Sequence, residues 1–178
     1  MKAAPVVHIC GWPGSGKRTI GKALCRRIGG RLIDNHLILD AAAALFKRGT
    51  RESSDLRETL RQVLYDAART LPAEVPLILT DALSDSATDR PLIEPTLELA
   101  RDRRARLVPI VLTVEIAENR RRLLDPARKD TGKLTDPAIL DDLRRCHRLL
   151  HLEGAGTLDV TALSAEAAAI RIEAMLDA

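Results

Sequence analysis

Aromatic rings are almost missing from this chain. Trp12, Phe46 and Tyr65 are the whole supply, 2% of the residues. The core must therefore be aliphatic, and a stacking platform for single-stranded nucleic acid is not supported by the composition. Cysteine is also scarce: Cys10, Cys25 and Cys146 are odd in number and form no C-x-x-C pair. That pattern implies a reducing compartment without structural disulfides. No apolar run reaches membrane-spanning length, and no signal-like stretch precedes residue 11. The expectation is a soluble, cytoplasmic protein with no membrane partner. Charge of one sign is not abundant either: 28 Lys and Arg against 25 Asp and Glu leave a net +3. This suits small anionic ligands and is too mild to call for nucleic acid.

What is present is a folded, aliphatic chain. Hydrophobic residues make up 46% and charged residues 30% of 178 positions, enough for one domain spanning 1–178 with a real core. Its most informative stretch is Gly11-Trp12-Pro13-Gly14-Ser15-Gly16-Lys17-Arg18-Thr19. An apolar strand, Val6–Cys10, precedes it, and a helix over Lys17–Ile28, stopped by Gly29-Gly30, follows. Strand, glycine-rich loop, lysine and helix together predict a phosphate-binding loop. Glycines permit positive φ, so backbone N–H groups can turn toward phosphate oxygens. The helix N-terminus adds its positive dipole end. Gly11, Gly14, Ser15, Gly16, Lys17, Arg18 and Thr19 are thus candidate ATP contacts, with Lys17 reaching the β- and γ-phosphates. The residue after the lysine is normally Ser or Thr, whose hydroxyl ligates Mg²⁺. Here Arg18 takes that place and the hydroxyl comes one residue later, at Thr19.

Further along, the pattern predicts a short strand at Arg31–Ile33 and a helix over Leu37–Lys47. A helix over Asp55–Thr70, capped by Ser53 or Ser54, comes next. Strands follow at Leu77–Thr80 and Leu107–Leu112, the second weakened by Pro109. A helix with a ragged start fills Pro91–Arg104, and another Ala117–Leu124. Asp136 with Pro137 opens a helix running to about Leu152. A fifth strand, Thr157–Val160, and a last helix with Ile170, Met175 and Leu176 on one face complete the chain. Alternating strands and helices predict an α/β fold with a parallel sheet flanked by helices.

Ligands of such sheets sit beyond the carboxyl ends of the strands. The second strand ends at Asp34-Asn35-His36 and the third at Thr80-Asp81, so these should meet the phosphate loop in one cleft. Asp34 could accept a proton from a substrate hydroxyl, orient it, or hold Mg²⁺-bound water. A bland alternative is that Asp34 or Asn35 caps the following helix. His36 is a candidate substrate contact. Asp81 is a candidate for substrate or Mg²⁺, or a simple turn residue. Mg²⁺ would be handled by Thr19, Asp34 and Asp81, through water. Arg120-Arg121-Arg122 point in different directions on a helix, so at most some can serve a ligand. Arg120 or Arg121, with Arg128, is the expected charge clamp. The basic segment 125–137 reads as a lid. His147 and His151 fall at i,i+4, but His-Arg-Leu-Leu-His lacks the glutamate of a zinc helix. Trp12 could pack on a neighbouring loop or on the nucleotide.

The phosphate loop resembles that of adenylate kinase and related nucleoside monophosphate kinases, in which Mg²⁺ is held largely through water. More narrowly, Gly16-Lys17-Arg18-Thr19, Asn35-His36-Leu37 and Lys133-Leu134-Thr135 resemble bacterial shikimate-kinase-like phosphate-loop proteins. That resemblance implies a five-stranded sheet of order 2-3-1-4-5 and a kinase. It does not extend to shikimate, because Thr80-Asp81-Ala82-Leu83 stand where shikimate kinase carries a Gly-Gly pair. The leading expectation is an ATP- and Mg²⁺-dependent phosphotransferase acting on a small hydroxylated or phosphorylated molecule. The alternatives are a nucleotide-binding regulator or ATPase with little transfer, and a kinase modifying an antibiotic or a nucleic-acid end.

Overall fold

The computed structural model describes residues 3–126 and 132–176. Five parallel strands form one sheet: β1 (Val6–Gly11), β2 (Arg31–Asp34), β3 (Leu77–Asp81), β4 (Leu107–Thr113) and β5 (Gly156–Asp159). Their spatial order is β2-β3-β1-β4-β5. Among the described residues seven α-helices flank them: α1 (Lys17–Ile28), α2 (Asn35–Ala43), α3 (Arg51–Arg69), α4 (Glu94–Asp102), α5 (Ile116–Leu123), α6 (Pro137–Cys146) and α7 (Ala165–Leu176). No described helix is long and apolar enough to cross a membrane.

The period of two along each strand divides the core into two faces. Val7, Ile9 and Ile78 pack with Ile20 and Leu24 of α1 and Ala169 and Ile172 of α7. Val6, Leu77 and Leu79 face the other way, onto Tyr65 and Ala68 of α3 and Leu99 of α4. The only tyrosine is spent here, its hydroxyl 3.1 Å from Thr96 Oγ1. Burial pushes the Tyr65 phenol up to about 12. Arg103 closes the turn after α3 by donating to the carbonyls of Ala68, Leu71, Pro72 and Val75.

Pro109 sits inside β4 without breaking the ladder to β1. Val6 N donates to Arg106 O, so by alternation the N–H groups of Val108 and Ile110 face β1. Position 109 faces the β5 side, where pairing begins only at Ile110 opposite Gly156. The missing donor therefore costs no strand bond.

Several element boundaries differ from the sequence expectation. Thr50, not Ser53 or Ser54, caps α3 and accepts from Ser53 N. α2 starts at Asn35 and ends at Ala43, short of Lys47. α6 stops at Cys146, where His147 turns extended, rather than continuing to Leu152. The cause is tertiary: Leu150 N donates to Leu83 O, Asp85 N donates to Arg148 O, and Leu150 is buried beside Cys10 and Ile93. His147 and His151 thus share no helix face, and His151 Nε2 instead lies 3.3 Å from Thr157 Oγ1. On α7 the buried residues are Ala168, Ala169 and Ile172, while Ile170 is exposed.

Candidate functional site

The phosphate loop leaves β1 at Gly11 and enters α1 at Lys17. Gly14 and Gly16 have φ of 84° and 89°, the left-handed region that only glycine enters freely. Ser15 N donates to Trp12 O, and Gly16 O accepts from Ile20 N. Ser15 is buried under the loop, its Oγ without a hydrogen-bond partner. Lys17 Nζ arches back and donates to Gly11 O at 2.6 Å and Trp12 O at 3.1 Å. The first turn of α1 holds no acidic residue, so its positive end is not neutralised from within.

Outside the loop a brace holds its shape. Asn119 of α5 is fully buried; its Nδ2 donates to Pro13 O at 2.8 Å and its Oδ1 accepts from Arg144 Nη1 at 2.9 Å. Gly14 comes so close that a Cβ there would lie 2.5 Å from Asn119 Nδ2. The sequence reading singles out Gly14 but misses Asn119 and Arg144. Asn119 carried one legible signal: it falls four residues before the buried Leu123, on the helix's inner stripe.

The strand ends do meet the loop. A cleft of about 170 Å³ is lined by Gly14, Gly16, Lys17, Arg18, Thr19, Asp34, Asn35, His36, Thr80 and Asp81. Arg48, Lys133 and Leu134 also reach it. Asp34 is 4% exposed and sits at the N-cap position of α2, yet its side chain makes no capping hydrogen bond. Its Oδ1 accepts from Thr80 Oγ1 at 2.5 Å. Its Oδ2 faces Arg18 Nε at 3.2 Å and has no hydrogen-bond partner of good geometry. Thus the residue occupying the usual hydroxyl position after the lysine pairs with the second strand's carboxylate. Asp81 is likewise buried; His8 Nε2 stands 3.4 Å from its Oδ2, and its Oδ1 lacks a hydrogen-bond partner. Thr80, which bonds Asp34, and His8, which stands beside Asp81, were not picked from the sequence. His36 Nδ1 lies 3.1 Å from Asp40 Oδ1, one turn along α2.

The α5 arginines do not line this cleft. Arg120 forks onto Asp141 at 2.9 and 2.8 Å, and Arg121 onto Glu118 at 2.6 and 2.8 Å. Hydrogen bonds from Arg121 and Arg122 hold the Glu118 carboxyl down at about 2. Arg128 lies outside the described residues. Cys10, one residue before the loop, is no nucleophile: burial raises its thiol to about 11, against a smaller opposing effect of Lys17.

Acid and hydroxyl oxygens are hard ligands, so Thr19, Asp34 and Asp81 fit a hydrated Mg²⁺ better than any softer metal. Two buried carboxylate oxygens without hydrogen-bond partners agree with that chemistry. Among the described residues no group of three or more His, Cys, Asp and Glu could hold a metal unaided. A cation here would depend on phosphate oxygens as well.

No family model matches the chain, and no curated protein matches it by sequence. Solved structures do match by fold over nearly the full length. A candidate kinase from Chloroflexus aurantiacus is 21% identical, with a TM-score of 0.69, covering 98% of this chain and 97% of that one. The tunicamycin resistance protein of Deinococcus radiodurans is 21% identical, with a TM-score of 0.63 and coverage of 97% and 95%. The APS kinase of Mycobacterium tuberculosis, solved with AMPPNP and APS, is 15% identical, with a TM-score of 0.62 and coverage of 100% of both chains. Shikimate kinases and a gluconokinase share the architecture too. The fold is therefore that of the phosphate-loop kinases of the shikimate and adenylate kinase type. At such identities the likeness speaks for the fold, and activity must be argued from the cleft.

Proposed function

We propose that this chain is an ATP-dependent phosphotransferase that moves the γ-phosphoryl group to the hydroxyl of a small molecule. One observation carries the step from nucleotide binding to transfer. Asp34 is buried at the mouth of the phosphate loop, and its carboxylate is held by Thr80 rather than used as a helix cap. A capping aspartate would turn to the α2 amides. A plain nucleotide sensor has little use for a carboxylate lining the cleft beside the loop.

In this reading Gly11, Gly14, Ser15 and Gly16 cradle the triphosphate with backbone N–H groups, aided by Arg18 and Thr19. Lys17 leaves its carbonyl partners to meet the β- and γ-phosphates. Mg²⁺, when bound, neutralises phosphate charge, with Thr19, Asp34 and Asp81 holding its water. The acceptor oxygen forms a bond to Pγ while the bond from Pγ to the β,γ-bridging oxygen breaks, and ADP leaves. The acceptor's proton passes to Asp34. Because such transfer is loose, positioning by Asp34 matters more than its strength as a base. His36 and Asp81 contact the acceptor. The 125–137 segment, of which residues 127–131 lie outside the described residues, is proposed as a lid, and Arg128 with Arg120 or Arg121 as the charge clamp. Arg120 or Arg121 must exchange its carboxylate partner for phosphate to take that role. One domain is proposed for 1–178.

One feature favours a second reading, a nucleotide-binding regulator with little transfer: Arg18 already pairs with Asp34. Transfer from γ-labelled ATP across sugars, sugar acids, nucleosides and antibiotics decides between them. The proposal predicts one labelled product, lost in Lys17→Ala. Binding of ATP with no labelled product from any acceptor class supports the regulator.

A further inference from the structure

The residue after Lys17 decides which cation this site carries. In most phosphate loops that place holds a hydroxyl that ligates Mg²⁺. Here it holds Arg18, a guanidinium fixed to the chain. Arg18 lines the cleft together with Gly16, Lys17, Thr19 and Asp34. Its Nε lies 3.2 Å from Asp34 Oδ2, and that carboxylate is buried while the arginine is partly exposed.

The contact is looser than other arginine pairs of this chain. Arg120 and Arg121 each lay two nitrogens on one carboxylate, at 2.9 Å or less. Arg18 approaches Asp34 by its Nε without a well-aligned hydrogen bond, so Asp34 Oδ2 still lacks a partner of good geometry. Among the described residues no hydrogen bond engages the terminal nitrogens of Arg18. A guanidinium carries five N–H donors in a planar fork, so one held at Asp34 keeps donors for a second oxyanion.

Mg²⁺ meets two obstacles here. Its usual hydroxyl ligand is missing from position 18, and a cation already stands at Asp34. A metal beside that carboxylate is repelled or must displace the arginine. Mg²⁺ also sheds its water reluctantly, whereas a guanidinium is weakly hydrated and forks onto phosphate directly.

We propose that Arg18 is the built-in counter-cation of the bound triphosphate. Its guanidinium bridges Asp34 and the β,γ-phosphate oxygens, and the site therefore accepts metal-free nucleoside triphosphate nearly as well as the Mg²⁺ complex. The proposal rests on the phosphate-loop reading and widens its ligand class from the metal complex to the free anion. The bridge also ties the carboxylate that positions the acceptor to the phosphoryl group that moves. Mg²⁺ is then an added ligand held through water, not the cation that completes the site.

The test titrates AMPPNP into the full chain by calorimetry, once with excess Mg²⁺ and once with EDTA. Its readout is the ratio of the metal-free Kd to the Kd with Mg²⁺, which needs no turnover. The wild type should give a ratio under about 10, less than one charge-assisted contact is worth at its strongest. Arg18→Gln keeps the length and polarity, removes the charge and adds no hydroxyl for the metal. Its metal-free Kd should rise about 10- to 100-fold, and its Kd with Mg²⁺ much less, so the ratio grows about 10-fold. Arg18→Ser should open the ratio further, because its hydroxyl gives the metal a direct ligand. An arginine that only shaped the loop would weaken both titrations alike and leave the ratio unchanged.

The proposal is overturned if the wild-type ratio exceeds about 10, or if Arg18→Gln leaves the ratio where it was. The wild-type ratio decides whether or not the variants fold. A large wild-type ratio with labelled transfer intact breaks this inference and leaves the kinase reading standing. AMPPNP that binds under neither condition breaks both.

Discussion

Replacing Asn119 separates loop support from loop chemistry. Its amide links Pro13 O to Arg144 with bonds of 2.8 and 2.9 Å, at a fully buried position. Asn119→Ala strips both bonds, leaves Pro13 O without its donor, and opens space beside Gly14. Each buried group left without a partner costs about 1–3 kcal/mol. Arg144 keeps Val114 O at 3.2 Å, so its loss falls at the lower end. A total of about 2–4 kcal/mol follows, or roughly 5–15 °C in melting temperature for a chain of this size. Asn119→Asp is the sharper probe. It keeps an acceptor for Arg144 but sets a carboxylate oxygen against Pro13 O, where a donor stood. Both variants should also lose nucleotide affinity, about 10-fold or more, because the loop's N–H groups lose their fixed orientation. Thermal melts with and without Mg²⁺ and AMPPNP read both effects. If Asn119→Ala melts like the wild type and shows the same nucleotide shift, the brace is idle and this reasoning fails.

Two further predictions rest on the same geometry. Arg18→Ser removes the partner of Asp34 Oδ2 and places a hydroxyl at the usual Mg²⁺ position. Mg²⁺ affinity in the nucleotide complex should rise, by isothermal titration, and unchanged affinity would show that the metal is held through water and the aspartates alone. The lone tyrosine gives a pH test. The Tyr65 phenol is raised from 10.0 to about 12 in the folded state. A raised folded value means the stabilisation is intact below pH 10.0 and is lost as pH rises toward 12. Two pKa units correspond to about 2.7 kcal/mol. Tyrosinate absorbance should appear together with alkaline unfolding, and ionisation near pH 10 in the folded protein contradicts the burial.

The order of elements and the phosphate loop were legible because local signals agreed with the fold. β1 needed only an apolar run, and α1 only its glycine stop. The strand-end rule by itself brings Asp34, His36 and Asp81 to the loop, where the cleft has them. What was not legible depended on contacts distant in sequence. The pairing of Thr80 with Asp34 spans 46 residues, and that of Asn119 with Pro13 spans 106. α6 ends early because Leu150 is drawn into a cluster with Leu83 and Cys10, which no local pattern announces.

Asp34→Asn tests the central claim most directly. Asparagine retains the shape and can still accept from Thr80, but it carries no charge and takes no proton. Turnover of labelled ATP onto the acceptor, the melting temperature and the AMPPNP-induced shift are measured on one preparation. The account predicts a wild-type fold, near-normal nucleotide binding and transfer slowed by about 10²-fold or more. Undiminished transfer in that sample would contradict it, leaving Asp34 a structural partner of Thr80 and Arg18.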